Sequence, residues 1–519
     1  MTNQFIKNLL KTKTADEIIS ESSNSGLKKT LSAFDLIILG IGAVVGTGIF
    51  TIVGIAAQGG VDGVAAGPSL VISMVIAAFA CFFSALCYSE FAAMIPTAGS
   101  SYSYTYATMG EFAAWMVGWI LMLEYAIGNI AVASAWTGYL FHFLKGFPFL
   151  PQWLLNPPIW LINDYRSAVA ICQKSGLDPS VEIPHFLGIP IAINVPAIII
   201  VILVSIVLVK GVRESARWAS VMVALNISVI MTFVIAGMFY VKPDNWTPFA
   251  PNGFEGVFMG AFIIFFAYIG FDAISTTAEE TKNPQRDLPI GIIGTLVICT
   301  ILYVIVALVL TGMVPYQNID FQAPLAHAMS SVGKNWIAFI ISAGALAGLT
   351  SVLLIYQLGT TRILYAMSRD RFLPRVLQNL HPKYKTPHVL TWISGIVVII
   401  GALFMDIGIS ADLCNFGTFT SFIIVCVAVL ILRKKEPNRP RPFKVPFSPW
   451  SPIIGIICCA GLMVCKLTTL SDSAILFPLW LIIGAAIYFA YGYSQNRLAE
   501  QNPQAKNTET TIENDKVSL

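Results

Sequence analysis

The sequence predicts an all-α polytopic membrane protein of twelve transmembrane helices, and three observations carry that prediction. Of the 519 residues, 56% are hydrophobic and only 11% charged, whereas a soluble domain carries about a quarter charged residues. Mean hydropathy is +0.74 over the whole chain. Apolar runs recur throughout, each long enough to cross a ~30 Å hydrocarbon core at ~1.5 Å of rise per residue. The first of them, Leu36 to Ile55, holds 20 uncharged residues.

Residues 1–30 are polar, hold five lysines and lack the short apolar region and small-residue cleavage pattern of a leader, so the first span is expected to be retained. Spanning segments follow near 33–57, 68–95, 112–135, 192–210, 217–241, 255–278, 290–313, 337–364, 388–405, 411–432, 452–469 and 474–492. The connection from His142 to Pro190 carries Trp153, Trp160, Tyr165 and several prolines without a spanning run, and reads as an outer loop with interfacial turns. With a cytoplasmic N-terminus, 25 Lys and Arg fall in the inner segments and 6 in the outer ones, a bias that places both termini in the cytoplasm and requires an even number of spans. Topology therefore explains the net charge of +3, and no nucleic-acid partner is implied. Eight of the nine cysteines lie in predicted spans and only Cys172 in an outer connection, so no disulfide framework is visible. The polar end, 496–519, reads as a solvated cytoplasmic tail.

The first span contains LGIGAVVGTGIF, residues Leu39 to Phe50, with glycines at 40, 42, 46 and 48. Gly42 and Gly46 have the small-xxx-small spacing that lets membrane helices approach closely, which is one reading. The other rests on the sixth span, GAFIIFFAYIGFDAISTTAEETKNPQRDLP, where Gly270 interrupts an apolar run two residues before Asp272. Paired interruptions in spans one and six suggest inverted repeats of spans one to five and six to ten. Backbone that leaves a helix at membrane depth is tolerated only where it lines a protein-enclosed cavity. Half-helix N-termini then offer N–H groups and positive dipole to an anion, and freed carbonyls accept from a cation. An α-amino acid, with its carboxylate and ammonium, matches both.

GIGAVVGTGIF, CYSEFAAMIPTAGSSYSYTYATMGE, FFAYIGFDAISTTAEETKNPQRDLP, RILYAMSRDRFLP and RPFKVP, in that order, resemble the amino acid-polyamine-organocation superfamily, and within it the bacterial branch of the cationic amino acid transporter family. The resemblance covers roughly Thr30 to Trp480. It implies a five-plus-five inverted-repeat fold with broken helices one and six, plus two extra C-terminal helices, and alternating access around a midplane site. The organisation is then a cytoplasmic segment 1–30, a first repeat 31–241, an inverted repeat 242–435, the extra helices 436–495 and the tail 496–519. By the same resemblance the substrate carboxylate meets the N–H groups of Gly46, Thr47 and Gly48 and the Thr47 hydroxyl, and the ammonium meets the carbonyls of Val44, Phe266 and Ile269. Phe266 matches the aromatic that closes over substrate, with Tyr268 a second gate candidate beside Gly270; without the resemblance both read as core- or lipid-facing aromatics.

Three polar residues inside spans carry further expectations. Glu124, in GWILMLEYAIG, sits near mid-membrane, where a carboxyl is expensive and faces a cavity or partner; the alternative is a protonated carboxyl bonded to a neighbouring helix. The resemblance places it near the substrate side chain. Asp272 either caps the broken helix or, by resemblance, takes part in gating. Asn226, nine residues after GVRESAR, stands where relatives carry a lysine thought to couple protons, and an amide does not titrate. It is expected to bridge span-one carbonyls to Thr350 and Ser351. Coupling then passes to Glu124 or Asp272, or the protein is an exchanger or facilitator, or Na⁺ fills the vacated space.

No HExxH or GxSxG motif occurs, the five histidines are scattered, and His327 reads as a surface residue, so an enzyme is not expected. Two unrelated breaks do not supply the repeated rings of a channel. The expectation is secondary transport of L-amino acids across the cell membrane, by proton-coupled uptake or by exchange, with a non-transporting receptor as the remaining alternative. No metal or organic cofactor is implied; the coupling ion is H⁺, with Na⁺ as the alternative, and the partners are the substrate and the lipid bilayer.

Overall fold

The computed structural model describes residues 9–493, apart from 24–28, 60–63, 98, 187–188, 212–215, 371, 385 and 470. The predicted tail, most of GVRESAR and single residues of two other motifs thus lie outside the described residues. Among those described, nine helices are long and apolar enough to cross a membrane, and the bent pair Ala33–Val44 with Gly48–Gln58 makes a tenth. Two shorter apolar helices, Val195–Lys210 and His388–Phe404, occupy the positions predicted for spans four and nine. The remaining spans are Gly67–Met94, Glu111–Leu144, Val221–Tyr240, Gly253–Glu280, Pro284–Met313, Asn335–Tyr365, Ile407–Lys435, Trp450–Leu467 and Asp472–Gly492. All nine cysteines are free.

Contacts between connections sort the chain into two faces. On one, Arg439 pairs with Asp16 of the helix Ala15–Ser23 at 2.8 Å, and Lys435 donates to the Thr108 carbonyl at 2.9 Å. That gathers the N-terminal segment and the connections after spans two and ten. On the other face, Gln58 donates to the Gln317 carbonyl at 3.0 Å, Asn245 to the Gly312 carbonyl at 2.7 Å, and Arg166 pairs with Asp472 at 3.0 Å. Connections after odd-numbered spans meet there, as successive crossings require. We call the first the near face and the second the far face.

The connection from His142 to Pro190 is more ordered than its sequence indicates. It holds the short helical segments Gln152–Leu155, Ile159–Leu161, Tyr165–Lys174 and Pro179–Glu182, and His185–Phe186 pairs antiparallel with Ile189–Pro190. Ala168, Ile183 and Ala192 bury a small core of their own against Trp160. Asp164 begins the longest segment by accepting from the Ser167 N–H at 3.0 Å, a side-chain N-cap.

Span one starts on a capping box: the Asp35 N–H donates to Ser32 Oγ, and the Ser32 N–H donates to Asp35 Oδ2 at 2.9 Å. It stops at Val44, because Val45 is extended (φ −78°, ψ 92°), and resumes as a π-turn, Gly48–Ile52, after a 45° bend. Span six is α-helical over Gly253–Ile264, then 3₁₀ over Phe265–Tyr268, extended at Ile269, left-handed at Gly270 (φ 113°) and 3₁₀ again over Phe271–Glu280. Both breaks are buried, which meets the requirement that unpaired backbone at membrane depth be shielded from lipid.

Candidate substrate site at the paired breaks

The two breaks fit into each other. A methyl at Gly48 would lie 2.3 Å from the Ala267 Cα, and one at Gly270 would lie 2.9 Å from the Ala43 carbonyl oxygen. The far half of span one therefore rests on the far half of span six, and the near halves meet likewise. On the near face the Thr30 and Leu31 N–H groups donate to the Glu280 carbonyl at 2.8 and 3.0 Å, tying the approach to span one to the end of span six. On the far face Thr51 Oγ1 donates to the Gln322 carbonyl at 3.2 Å, and the Tyr139 hydroxyl donates to the Phe50 carbonyl. Thr47, Phe266, Ile269, Glu124 and Asp272 are each at most 4% exposed, so the site is closed to both faces.

Gly46, Thr47 and Gly48 lie where the second half-helix begins, and the first N–H groups of a helix have no intrahelical acceptor. The Thr47 hydroxyl among them is buried without a partner. This cluster of donors at a helix N-terminus suits an anion. Of the three carbonyls expected to take an ammonium, that of Val44 already accepts from the Tyr303 hydroxyl at 2.9 Å and that of Phe266 from the Ile269 N–H at 3.2 Å. Each carbonyl oxygen keeps a second lone pair for a ligand. Tyr303, on span seven, is a site residue the sequence did not reveal: a tyrosine in an apolar run has no local signature beyond its need for a partner when buried.

Phe266 stands apart from its aromatic neighbours. Phe265 packs on Phe419 at 4.0 Å and Phe271 on Phe422 at 5.2 Å, whereas among the described residues no ring is paired with Phe266. Tyr268 is turned away from the break: its hydroxyl donates to the Met74 carbonyl of span two at 3.1 Å and its ring meets Tyr303 at 5.5 Å.

Glu124 and Asp272 each keep one buried carboxyl oxygen without a hydrogen-bond partner. Around Glu124, Cys414 donates to its main-chain carbonyl at 3.2 Å, and Gly128, one turn on, lies against Tyr356 and Cys414. Asp272 is the second residue of the near half-helix, whose N-cap is Gly270, and its carboxyl lies among the main-chain N–H groups of Gly270, Asp272 and Ala273 at the start of that helix.

Asn226 occupies a junction of three spans. A methyl at Gly348 of span eight would lie 2.3 Å from Asn226 Oδ1, while Val223, one turn earlier, packs on Gly42, and Val352, one turn after Gly348, packs on Gly46. Asn226 Oδ1 is buried and unpaired. The structure does not bring Thr350 to it: that hydroxyl donates to the Leu346 carbonyl at 2.7 Å and accepts from Trp136 Nε1 at 3.1 Å, facing span three. Thr350 is two residues from Gly348 and so on another side of the helix; Ser351, beside it, is half-buried.

A family model described as amino acid permease matches residues 31–490. The chain belongs to the amino acid permease family. This permease is 41% identical to the methylthioribose transporter of Bacillus subtilis over 496 residues, 95% of this chain and 100% of that one. It is 42% identical to the branched-chain amino acid permease BcaP of the same organism over 484 residues, 93% and 97% of the two chains. A plant relative, the chloroplastic cationic amino acid transporter 9 of Arabidopsis thaliana, is 35% identical over 85% of this chain and 74% of its own. The permease is thus a multi-pass membrane transporter, not an enzyme, of the class in which twelve helices surround a small-molecule site.

Proposed function

We propose that this permease carries L-amino acids across the cell membrane by alternating access, in proton-coupled uptake, with both termini cytoplasmic. The observation that carries the reading is the pairing of the breaks. The helix-terminal donors at Gly46, Thr47 and Gly48 meet the sixth-span break where Gly48 packs on Ala267, and the carbonyls of Val44 and Phe266 belong to the same two breaks. That chemistry selects a zwitterionic headgroup and leaves the side chain to other residues, chiefly Glu124. Relatives named for branched-chain and for cationic amino acids support the headgroup as the common element.

The test is a competition panel of all common amino acids in reconstituted vesicles, with methylthioribose included. Competition by a set of α-amino acids sharing only the headgroup is the expected result. Competition by methylthioribose alone would overturn the reading.

A second reading, exchange without proton coupling, is favoured by one observation: Asn226, which does not titrate, holds the junction of spans one, five and eight. Under the first reading, an inside-alkaline gradient drives accumulation in the wild type through Glu124 or Asp272, and Asn226→Lys adds a second titrating group that shifts the pH profile. Accumulation that follows only trans amino acid, unaffected by pH or Na⁺ gradients, would decide for exchange.

A further inference from the structure

Lys466 is counted by its sequence position among outer lysines, but it is only 7% exposed, at the far end of span eleven. Its ammonium pairs with Asp412 of span ten at 2.8 Å, and both side chains are 9% exposed. Ser473, at the start of span twelve, donates to the same carboxylate oxygen at 3.1 Å. The ammonium also lies 5.7 Å above the Phe262 ring, in reach of a cation–π attraction. Three residues along from Asp412, Asn415 donates to the Phe262 main-chain carbonyl at 2.6 Å; residues three apart share a helix face.

Polar groups of spans ten and eleven thus grip one residue of span six at both its ring and its backbone. Phe262 lies in the last α-helical turn before the break, which ends at Ile264, and one helical turn before Phe266. A buried ion pair gains little over well-packed apolar residues of the same volume, so stability alone is a poor account of it. Position is a better one, because the pair fixes a direction between helices that apolar contacts leave free to slide.

Building on the transport reading above, we propose that Lys466 and Asp412 are positioning residues. Their ion pair, seated on Phe262, holds the far half of span six in register and so places the Phe266 gate. Spans eleven and twelve, which lie outside the paired breaks, enter the transport cycle through this contact.

The test uses the full chain, purified and reconstituted. Single neutralisation leaves a buried charge unpaired and risks misfolding, so the informative variants are the neutral pair Asp412→Asn with Lys466→Met, the exchanged pair Asp412→Lys with Lys466→Asp, and Lys466→Arg. Hydrogen exchange over residues 253–266 needs no ligand. We expect it to quicken about tenfold in the neutral pair, to return toward wild type in the exchanged pair, and to stay unchanged in Lys466→Arg. Uptake of radiolabelled L-leucine and L-lysine should show Vmax lowered about fivefold or more in the neutral pair with KM little changed, the signature of a misplaced gate. Quickened exchange confined to spans eleven and twelve, or spread over the whole chain, would overturn the positioning role. Wild-type protein that takes up no amino acid in the panel would overturn the transport reading, while the exchange data still decide the brace.

Discussion

Gly48→Ala is expected to insert normally and to lose uptake by about a hundredfold, the scale of a misplacement of ~1 Å at a site that works by positioning. The new methyl would lie 2.3 Å from the Ala267 Cα, 2.5 Å from its Cβ and 3.1 Å from its nitrogen. Two of those atoms are main chain, so no rotamer change relieves the contact; the halves of spans one and six must separate. Gly46→Ala is the control, because its methyl meets Val352 Cγ2 at 2.8 Å, and a side chain can turn at a cost of ~1–3 kcal/mol. Gly270→Ala combines both penalties, a φ of 113° and an approach of 2.9 Å to the Ala43 carbonyl, and should resemble Gly48→Ala. Vesicle uptake, normalised to protein recovered by size exclusion, ranks the three. Equal effects at 46 and 48 would mean that the glycines serve ordinary helix packing.

That ranking also separates what the sequence announces from what it conceals. The glycines of span one and Gly270 stand out because an unbroken apolar run gives no other reason for them, and both coincide with real breaks. The spans themselves are visible through length and hydropathy, with ends within a few residues of the observed ones for spans four and nine. Glu124, Asp272 and Asn226 announce themselves as polar groups in apolar runs, and all three are buried with an unpaired oxygen. Partners are another matter. Tyr303 on Val44, Trp136 on Thr350, Asn415 on Phe262 and Lys466 on Asp412 join residues 54 to 259 positions apart, and no local periodicity encodes which helices become neighbours. The expected bridge from Asn226 to Thr350 and Ser351 shows the same limit: the Thr350 hydroxyl is taken by the Leu346 carbonyl and Trp136, on another side of its helix from Gly348, which meets Asn226. Short helices between His142 and Pro190 were hidden because helices lying along the face carry no spanning run.

Phe266→Ala is expected to abolish net uptake while insertion and substrate-independent stability persist. The ring belongs to a 3₁₀ turn, Phe265–Tyr268, bounded by the α-helical far half and the extended residue Ile269, so small dihedral changes on either side can swing it. Its neighbours Phe265 and Phe271 are fixed in ring pairs with Phe419 and Phe422, which leaves Phe266 as the aromatic of this stretch without a ring partner among the described residues. Truncating it costs little packing of other rings but removes the cover that excludes water from a site whose attraction for substrate is electrostatic, and such attraction weakens steeply once water enters. Thr47→Ala provides the graded companion. It deletes one donor to a charged carboxylate, worth about 1.5–3 kcal/mol, and so should raise KM about tenfold or more with Vmax largely kept. A gate and a binding group are thereby told apart by kinetics: Vmax collapses in Phe266→Ala and KM rises in Thr47→Ala. Wild-type kinetics in both would remove the site from the paired breaks, and a KM effect alone in Phe266→Ala would make the ring a substrate contact with the gate elsewhere in the far half of span six.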